Sequence, residues 1–376
     1  MFVELHMVQN MAPSNLNRDD TNNPKDCEFG GVRRARISSQ CIKRAIRHSP
    51  AFAQATGVDT ATRTRWLMRL LGERLVGAGR TETEVAAIVP AFVETYLSKL
   101  DRDGERTAVL LYLSNAEVTS MVQGLMDNWQ ALVDEDPRNK AIDGLAKALS
   151  KSHRGHTSAP DIALFGRMLA EKPELGLEAA CQVAHAISTH RVSMEMDFFT
   201  AVDDLQAQEE PGAGMMGFTA FDSACFYRYA RIDWGQLVKN LAKDANLAKR
   251  TVEGFLRAAI SAVPTGKQNT FAAYNPPSLA LAVVRSDGMG WSLANAFEKP
   301  VRPGYDTGLV APSVAALDAY WGRMCQVYGT QSLVCLAALP LEPDLPLQAL
   351  KPARVSNVED WVNSVIGALP AGEEDG

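Results

Sequence analysis

Six cations, Arg33, Arg34, Arg36, Lys43, Arg44 and Arg47, stand between residues 33 and 47 with no carboxylate among them. Within this run Ser38 and Ser39 precede an apolar stripe, Ile42, Ala45 and Ile46, at helical spacing. The pattern predicts a helix that opens at residue 38 with one of the two serines as its N-cap. A helix N-terminus carries unpaired N–H groups and partial positive charge, and so attracts anions. Arginines before it, hydroxyls at it and cations after it could grip phosphates along a polynucleotide without reading its bases. The plain alternative is a solvated helix face, but such faces normally mix signs.

Other residues could do other chemistry. Asp19 and Asp20, with Asp26 nearby, could hold Mg²⁺ for phosphodiester cleavage, or they could simply close turns. Cys181 and His185 share a face if residues 175–190 are helical, which is half of a zinc site, and His153 and His156 could complete it. Neither pair is a full ligand set, and a buried histidine bonded to a carbonyl is commoner. Val263-Pro-Thr-Gly-Lys267 lacks the first glycine of a P-loop and has Gln268 where Ser or Thr is needed, which excludes that nucleotide site. Lys267, Gln268 and Asn269 remain a polar contact loop. No G-x-S-x-G occurs, so there is no hydrolase elbow.

The chain around these residues has 376 positions, with Lys and Arg at 38 against Asp and Glu at 44, a formal charge of −6. A negative total argues mildly against nucleic acid, so the cationic run is a local exception on an acidic body. The end from Glu342 to Gly376 carries the opposite character, with Glu342, Asp344, Glu359, Asp360, Glu373, Glu374 and Asp375 against Lys351 and Arg354. No apolar run is long enough to span a membrane, and the start, MFVELHMVQ, lacks the pattern of a secretory signal. The six cysteines are dispersed without a CxxC, which points to a reducing, cytoplasmic setting.

Hydrophobic periodicity lays out the elements. Residues 2–9 alternate as a strand, and a polar stretch from Asn10 to Arg36 follows, broken by Gly30-Gly31. Helical patterns cover 61–100, a segment capped near Ser114 or Asn115, and 139–150. Residues 107–113 and 162–169 read as strands, and 175–190 as a helix. From Val192 to Ile232 two alternating runs flank a Gly-rich loop over 206–217, which predicts a long β-hairpin with Met215 and Met216 at its tip. Phe198 and Phe199 are adjacent and cannot both face one core, so one is free to stack on a base or pack on a neighbour. Helix 234–262, loop 263–275, strand 279–285, helix 312–327, strand 332–339 and helix 358–369 complete the pattern.

Several blocks together resemble one family. Asn15-Leu-Asn-Arg-Asp-Asp20, Lys25-Asp26, Phe29-Gly-Gly31, Arg33-Arg-Ala-Arg-Ile-Ser-Ser-Gln40 and Lys43-Arg44-Ala45 resemble the N-terminal signature of CasC. CasC is the repeated backbone subunit of Cascade, the type I-E CRISPR surveillance complex. Ala184-His-Ala-Ile187, Thr189-His190, Phe199-Thr-Ala-Val-Asp-Asp-Leu205, Phe226-Tyr-Arg-Tyr-Ala230 and Asn295-Ala-Phe-Glu-Lys299 extend the likeness in consistent order.

The resemblance implies an α+β fold shaped like a hand. A modified RRM-like, ferredoxin-like palm is assembled from 1–57, 177–190 and 223–376, helical fingers span 58–176, and a β-hairpin thumb spans 191–222. It implies that Lys25, Ser38, Gln40, Lys43, Arg44 and Arg47 contact the guide RNA backbone, with Arg18 and Arg34 in the same blocks. Met168 would lie against the bases, Phe198, Phe199 and Thr200 would belong to the thumb that kinks the guide, and Lys299 would add a phosphate contact. The implied partners are the crRNA guide, target DNA through pairing with the guide, further copies in a filament and a recruited helicase-nuclease or other effector. The large, small, 5′-handle-binding and crRNA-processing subunits of Cascade complete the set. No cofactor, metal or catalysis is implied. The rival is an endoribonuclease of the related type III complexes, using an Asp of the 19–26 loop.

Overall fold

The computed structural model describes residues 1–201, 215–304 and 306–371. The fold is α+β, as expected. Packing divides the chain into two units: Met1–Phe52, Gln182–Ile232 and Val252–Pro370 form the first, and Ala53–Cys181 with Asp233–Thr251 and the residues from Ala371 form the second.

The first unit is built on β1 (Phe2–Ser14), β2 (Asp26–Phe29) and β3 (Val32–Ile37). The second unit carries β4 (Thr62–Thr64) and β5 (Leu111–Leu113), which pair with each other. The remaining strands are β6 (Cys181–Val183), β7 (Ala186–Ser188), β8 (Glu195–Ala201), β9 (Met215–Asp233), β10 (Leu279–Arg285) and β11 (Leu333–Pro340). The large sheet runs β11-β10-β1-β9-β7-β3-β2, and β6 and β8 also pair with β9. Helix Val310–Tyr328 supplies Val314, Leu317 and Trp321 to the apolar layer over it, together with Trp291, Leu293 and Phe297.

β1 sits in mid-sheet, so its polar residues are buried rather than solvated. Glu4 and His6 are both fully buried. Glu4 Oε2 accepts from Arg285 Nε at 2.8 Å, while Oε1 accepts from Tyr229 Oη at 2.8 Å and from Trp291 N at 2.7 Å. Arg285 stands over the Trp291 ring, its guanidinium carbon 3.5 Å from the ring centre. His6 Nδ1 is 2.8 Å from Tyr227 Oη, and burial drives the imidazole down to about 4, so it is neutral at physiological pH. These bonds tie the segment after β10 to the centre of the sheet.

The polar stretch 10–36 is more ordered than its composition predicts. β1 continues to Ser14, and β2 and β3 form a hairpin in which Phe29 pairs with Val32. Gly30 and Gly31 are the two turn residues, with φ of 61° and 70°, the combination that a two-residue hairpin turn of this hand requires. The long arm is also a hairpin, with Phe198 opposite Phe218 and Ala201 opposite Met215. Met215–Gly217 already belong to β9, and the rest of the expected loop, 206–214, lies outside the described residues.

Three expectations are overturned: the helix over 175–190, the strand over 162–169 and the single helix over 234–262. Residues 175–190 form β6 and β7 rather than a helix, because β9 and β3 offer strand partners and short apolar runs satisfy either period. Cys181 and His185 therefore share no helix face, and among the described residues no three His, Cys, Asp or Glu come together as a metal group. Residues Pro160–Phe165 are a helix with proline in its first turn, and Gly166 at φ 75° ends it. The expected helix over 234–262 is two, Trp234–Asn240 and Ala245–Ser261, with Ala242 and Lys243 at positive φ between them.

The second unit has its own core from Leu67, Leu71, Leu75, Ile88, Phe92, Met121 and Leu125. Capping boxes, Thr81 with Glu84 and Ser114 with Glu117, start two of its helices. Each reciprocal pair satisfies two N–H groups that would otherwise lack partners. No helix is long and apolar enough to cross a membrane among the described residues.

Glu4→Leu leaves Arg285 buried without its carboxylate, and the unfolding free energy should fall by about 3–5 kcal/mol. Urea unfolding of the two proteins measures this.

Candidate nucleic-acid interface

Helix Ser39–Arg47 begins as the sequence predicts. Ser38 is the N-cap, its Oγ accepting from Cys41 N at 3.4 Å. The entry to this helix is stitched to the preceding loop: Ser38 N donates to Asn17 Oδ1 at 2.8 Å and Lys25 N donates to Asn17 O at 2.9 Å. Asn15, fully buried, donates through Nδ2 to Asn22 O and to Ala220 O, which anchors the same loop to β9.

The cations of the run do not share one fate. Gln40 and Arg44 are exposed, Lys25 and Lys43 are half-buried, and Ser38 and Arg47 are buried. Arg33 is exposed and pairs with Asp26 at 3.2 Å across the hairpin. Arg36 donates through Nε to Asp26 O and lies 2.9 Å from His185 Nδ1. Burial, then Arg36 and Lys25, hold the His185 imidazole below its usual range, so as a neutral ring it accepts a hydrogen bond at Nδ1 from Arg36 Nη1. Arg18 is exposed, with Nη1 at 3.3 Å from Asn22 Oδ1.

Arg34 corrects the expectation of a surface phosphate contact. It has no exposed surface. Its Nε donates to Phe29 O at 3.1 Å, Nη1 to Ser188 O at 3.1 Å, and Nη2 to Phe297 O at 2.8 Å and Glu298 O at 3.2 Å. One guanidinium thus joins the β2–β3 turn, the end of β7 and the segment that leads to Lys299. Gly30 presses on the same place: a Cβ there would lie 1.8 Å from Glu298 O. Lys299 itself is exposed. Arg34 positions Lys299 and the turn rather than meeting a ligand.

Two of the three carboxylates of the loop, Asp19 and Asp26, are also engaged. Asp19 Oδ1 accepts from Thr21 N at 2.9 Å, Thr21 Oγ1 at 2.8 Å and Asn23 N at 2.9 Å. The Thr21 hydroxyl does most to hold this carboxyl below the ordinary aspartate range. Asp20 is exposed and Asp26 is the partner of Arg33.

On the β8–β9 ribbon, side chains of paired residues share a face. Met196, Phe198 and Thr200 stand with Ala220, Phe218 and Met216 on one face, and the Phe198 and Phe218 ring centres are 5.2 Å apart. Phe199 lies on the other face over Gly217, where a Cβ would meet its ring at 2.4 Å. Both phenylalanines are exposed, as is Thr200. Met168, in the second unit, is 88% exposed.

Sequence reading passed over one feature. Arg18 and Arg44 line a cleft of about 550 Å³ together with Val263–Gly266 and the exposed Tyr274. The signal was an aromatic residue in a polar loop already noted for Lys267.

These features define an α+β protein with exposed cations in and before helix Ser39–Arg47 and an exposed two-stranded ribbon. The chain belongs to the CT1975-like protein family, whose model matches residues 3–364. Two solved structures resemble it over nearly its whole length. One, "CRISPR RNA-guided surveillance complex, pre-nicking", contains a chain 32% identical with TM-score 0.83, covering 98% of this chain and 100% of that one. The other, "CRISPR RNA-guided surveillance complex", contains a chain 26% identical with TM-score 0.75 and the same coverage of 98% and 100%. No curated protein matches. The family resemblance read from the sequence is borne out.

Arg34→Met removes a buried guanidinium from four carbonyls and should lower stability by about 3 kcal/mol, against less than about 1 kcal/mol for Arg33→Met at the surface. Paired denaturation curves test the contrast.

Proposed function

We propose that this chain is a guide-RNA-binding backbone subunit of a Cascade-type CRISPR surveillance complex. The observation that carries the reading is the full-length likeness to chains of two RNA-guided surveillance complexes. The exposed cations Arg18, Arg44 and Lys299, with half-buried Lys25 and Lys43, would grip the RNA backbone. Such contacts hold any sequence, so the guide's bases remain free to select the target by pairing. The sheet would serve as an RRM-like palm, the second unit's helices as fingers and the β8–β9 ribbon as the thumb. Copies stacked head to tail give an open filament when the rotation does not close. Exposed Phe198 and Phe199 suit a ribbon that displaces guide bases at intervals, and Met168 suits a contact to bases. Within the type I-E arrangement, other Cascade subunits cap the filament and cleavage falls to a recruited nuclease.

Salt dependence tests the grip. Single-stranded RNA binding by Lys43→Ala and Arg44→Ala proteins, followed by fluorescence anisotropy over a salt series, should be weaker. The slope of log affinity against log salt should fall by about 0.7 for each cation removed. Unchanged slopes would contradict the site.

We assign no catalysis to the chain. The Asp19 carboxylate is committed to its own turn, which leaves it poorly placed as a metal ligand. The assembled complex, incubated with matched RNA and Mg²⁺, should leave the RNA intact. Periodic cleavage abolished by Asp20→Ala or Asp26→Ala would establish the nuclease instead.

A further inference from the structure

The cleft beside helix Ser39–Arg47 has a built shape. Loop residue Gly266 lies so close to the Asn15–Leu16 backbone that a Cβ there would stand 2.4 Å from Leu16 O. Gln268, buried, donates through Nε2 to Pro264 O at 3.0 Å and to Ala273 O at 3.3 Å, which closes the loop on itself. Asn275 fastens the far end to β1: its Oδ1 accepts from Ala12 N at 3.1 Å and its carbonyl from Gln9 Nε2 at 2.7 Å. Lys267 and Ala272 take left-handed φ of 51° and 48°, a conformation costly for residues with a Cβ. Such strain persists only where surrounding bonds enforce it, and it concentrates at binding sites. The product of these constraints is Tyr274, held in place on both sides yet 68% exposed.

The cleft that Tyr274 lines is also lined by Arg18 and Arg44. Among the described residues the Arg18 side chain donates to a neutral amide, Asn22 Oδ1, and to no carboxylate, and the Arg44 side chain makes no hydrogen bond or ion pair. Asp19 also lines the cleft and stays ionised, but its Oδ1 faces its own turn and the two guanidiniums outnumber it. A volume of about 550 Å³ takes one nucleotide comfortably.

We infer that this cleft is a nucleotide subsite, which seats one phosphate of a single-stranded RNA between Arg18 and Arg44 and stacks the attached base on Tyr274. A flat ring beside paired guanidiniums is the recognition chemistry of single-stranded nucleic acid, and stacking accepts any base. The ring does the binding, so the phenol hydroxyl is dispensable. The inference rests on the reading of this chain as an RNA-gripping subunit.

The full chain is titrated with a fluorescein-labelled single-stranded RNA, as wild type, Tyr274→Ala, Tyr274→Phe and Lys43→Ala, with circular dichroism as the check on folding. Tyr274→Ala should weaken binding about tenfold, and Tyr274→Phe should bind like wild type. Irradiation with RNA carrying 5-iodouridine should crosslink the Tyr274 peptide. If Lys43→Ala weakens binding while Tyr274→Ala does not, the subsite is wrong and the RNA grip stands. Equal losses in Tyr274→Ala and Tyr274→Phe would overturn stacking. If the wild type binds no RNA, the underlying functional reading fails with it.

Discussion

A single buried guanidinium joins the parts of the proposed interface. Arg34 donates to carbonyls from the β2–β3 turn, the end of β7 and the segment before Lys299. These lie far apart in sequence, and a buried cation with carbonyl partners on three segments leaves little freedom among them. Gly30 is the matching constraint, since only a residue without a Cβ fits against Glu298 O. Without this junction the β2–β3 turn, the end of β7 and the segment that carries Lys299 would be separate features.

The division of labour among the basic residues follows from burial. Arginine serves the inside, because its planar fork can be shared among several carbonyls. In the cationic run Arg34 does this, and Arg47 is likewise buried at the end of its helix. What remains outside is a small set of cations on an acidic protein. Each is weak in salt water, but repetition along a polyanion adds them up. An overall charge of −6 is therefore compatible with an RNA grip confined to one edge.

Much of this was legible in the sequence. The N-cap serine, the cationic run, the long hairpin and most helices follow from local rules, and the motifs spread from Asn15 to Lys299 disclosed the family. Three things were not legible. Residues 175–190 suit a helix by period, and only the strands on either side make them β6 and β7. Arg34 looks like its neighbours Arg33 and Arg36: alternation along β3 separates it from Arg33, but Arg36 shares its face, and only the distant carbonyls of Ser188, Phe297 and Glu298 mark Arg34 as the buried one. Tyr274 owes its role to Gly266 and Asn275 pressing against distant β1 and its following loop, which no local pattern shows.

The central claim is that RNA lies along the exposed edge of helix Ser39–Arg47. Electron cryomicroscopy of the chain co-expressed with its guide and partner subunits tests it most directly. Repeated copies are expected on one continuous RNA strand, with the sugar-phosphate path beside Gln40, Lys43 and Arg44. Copies assembled without RNA, or RNA running along another face, would contradict it.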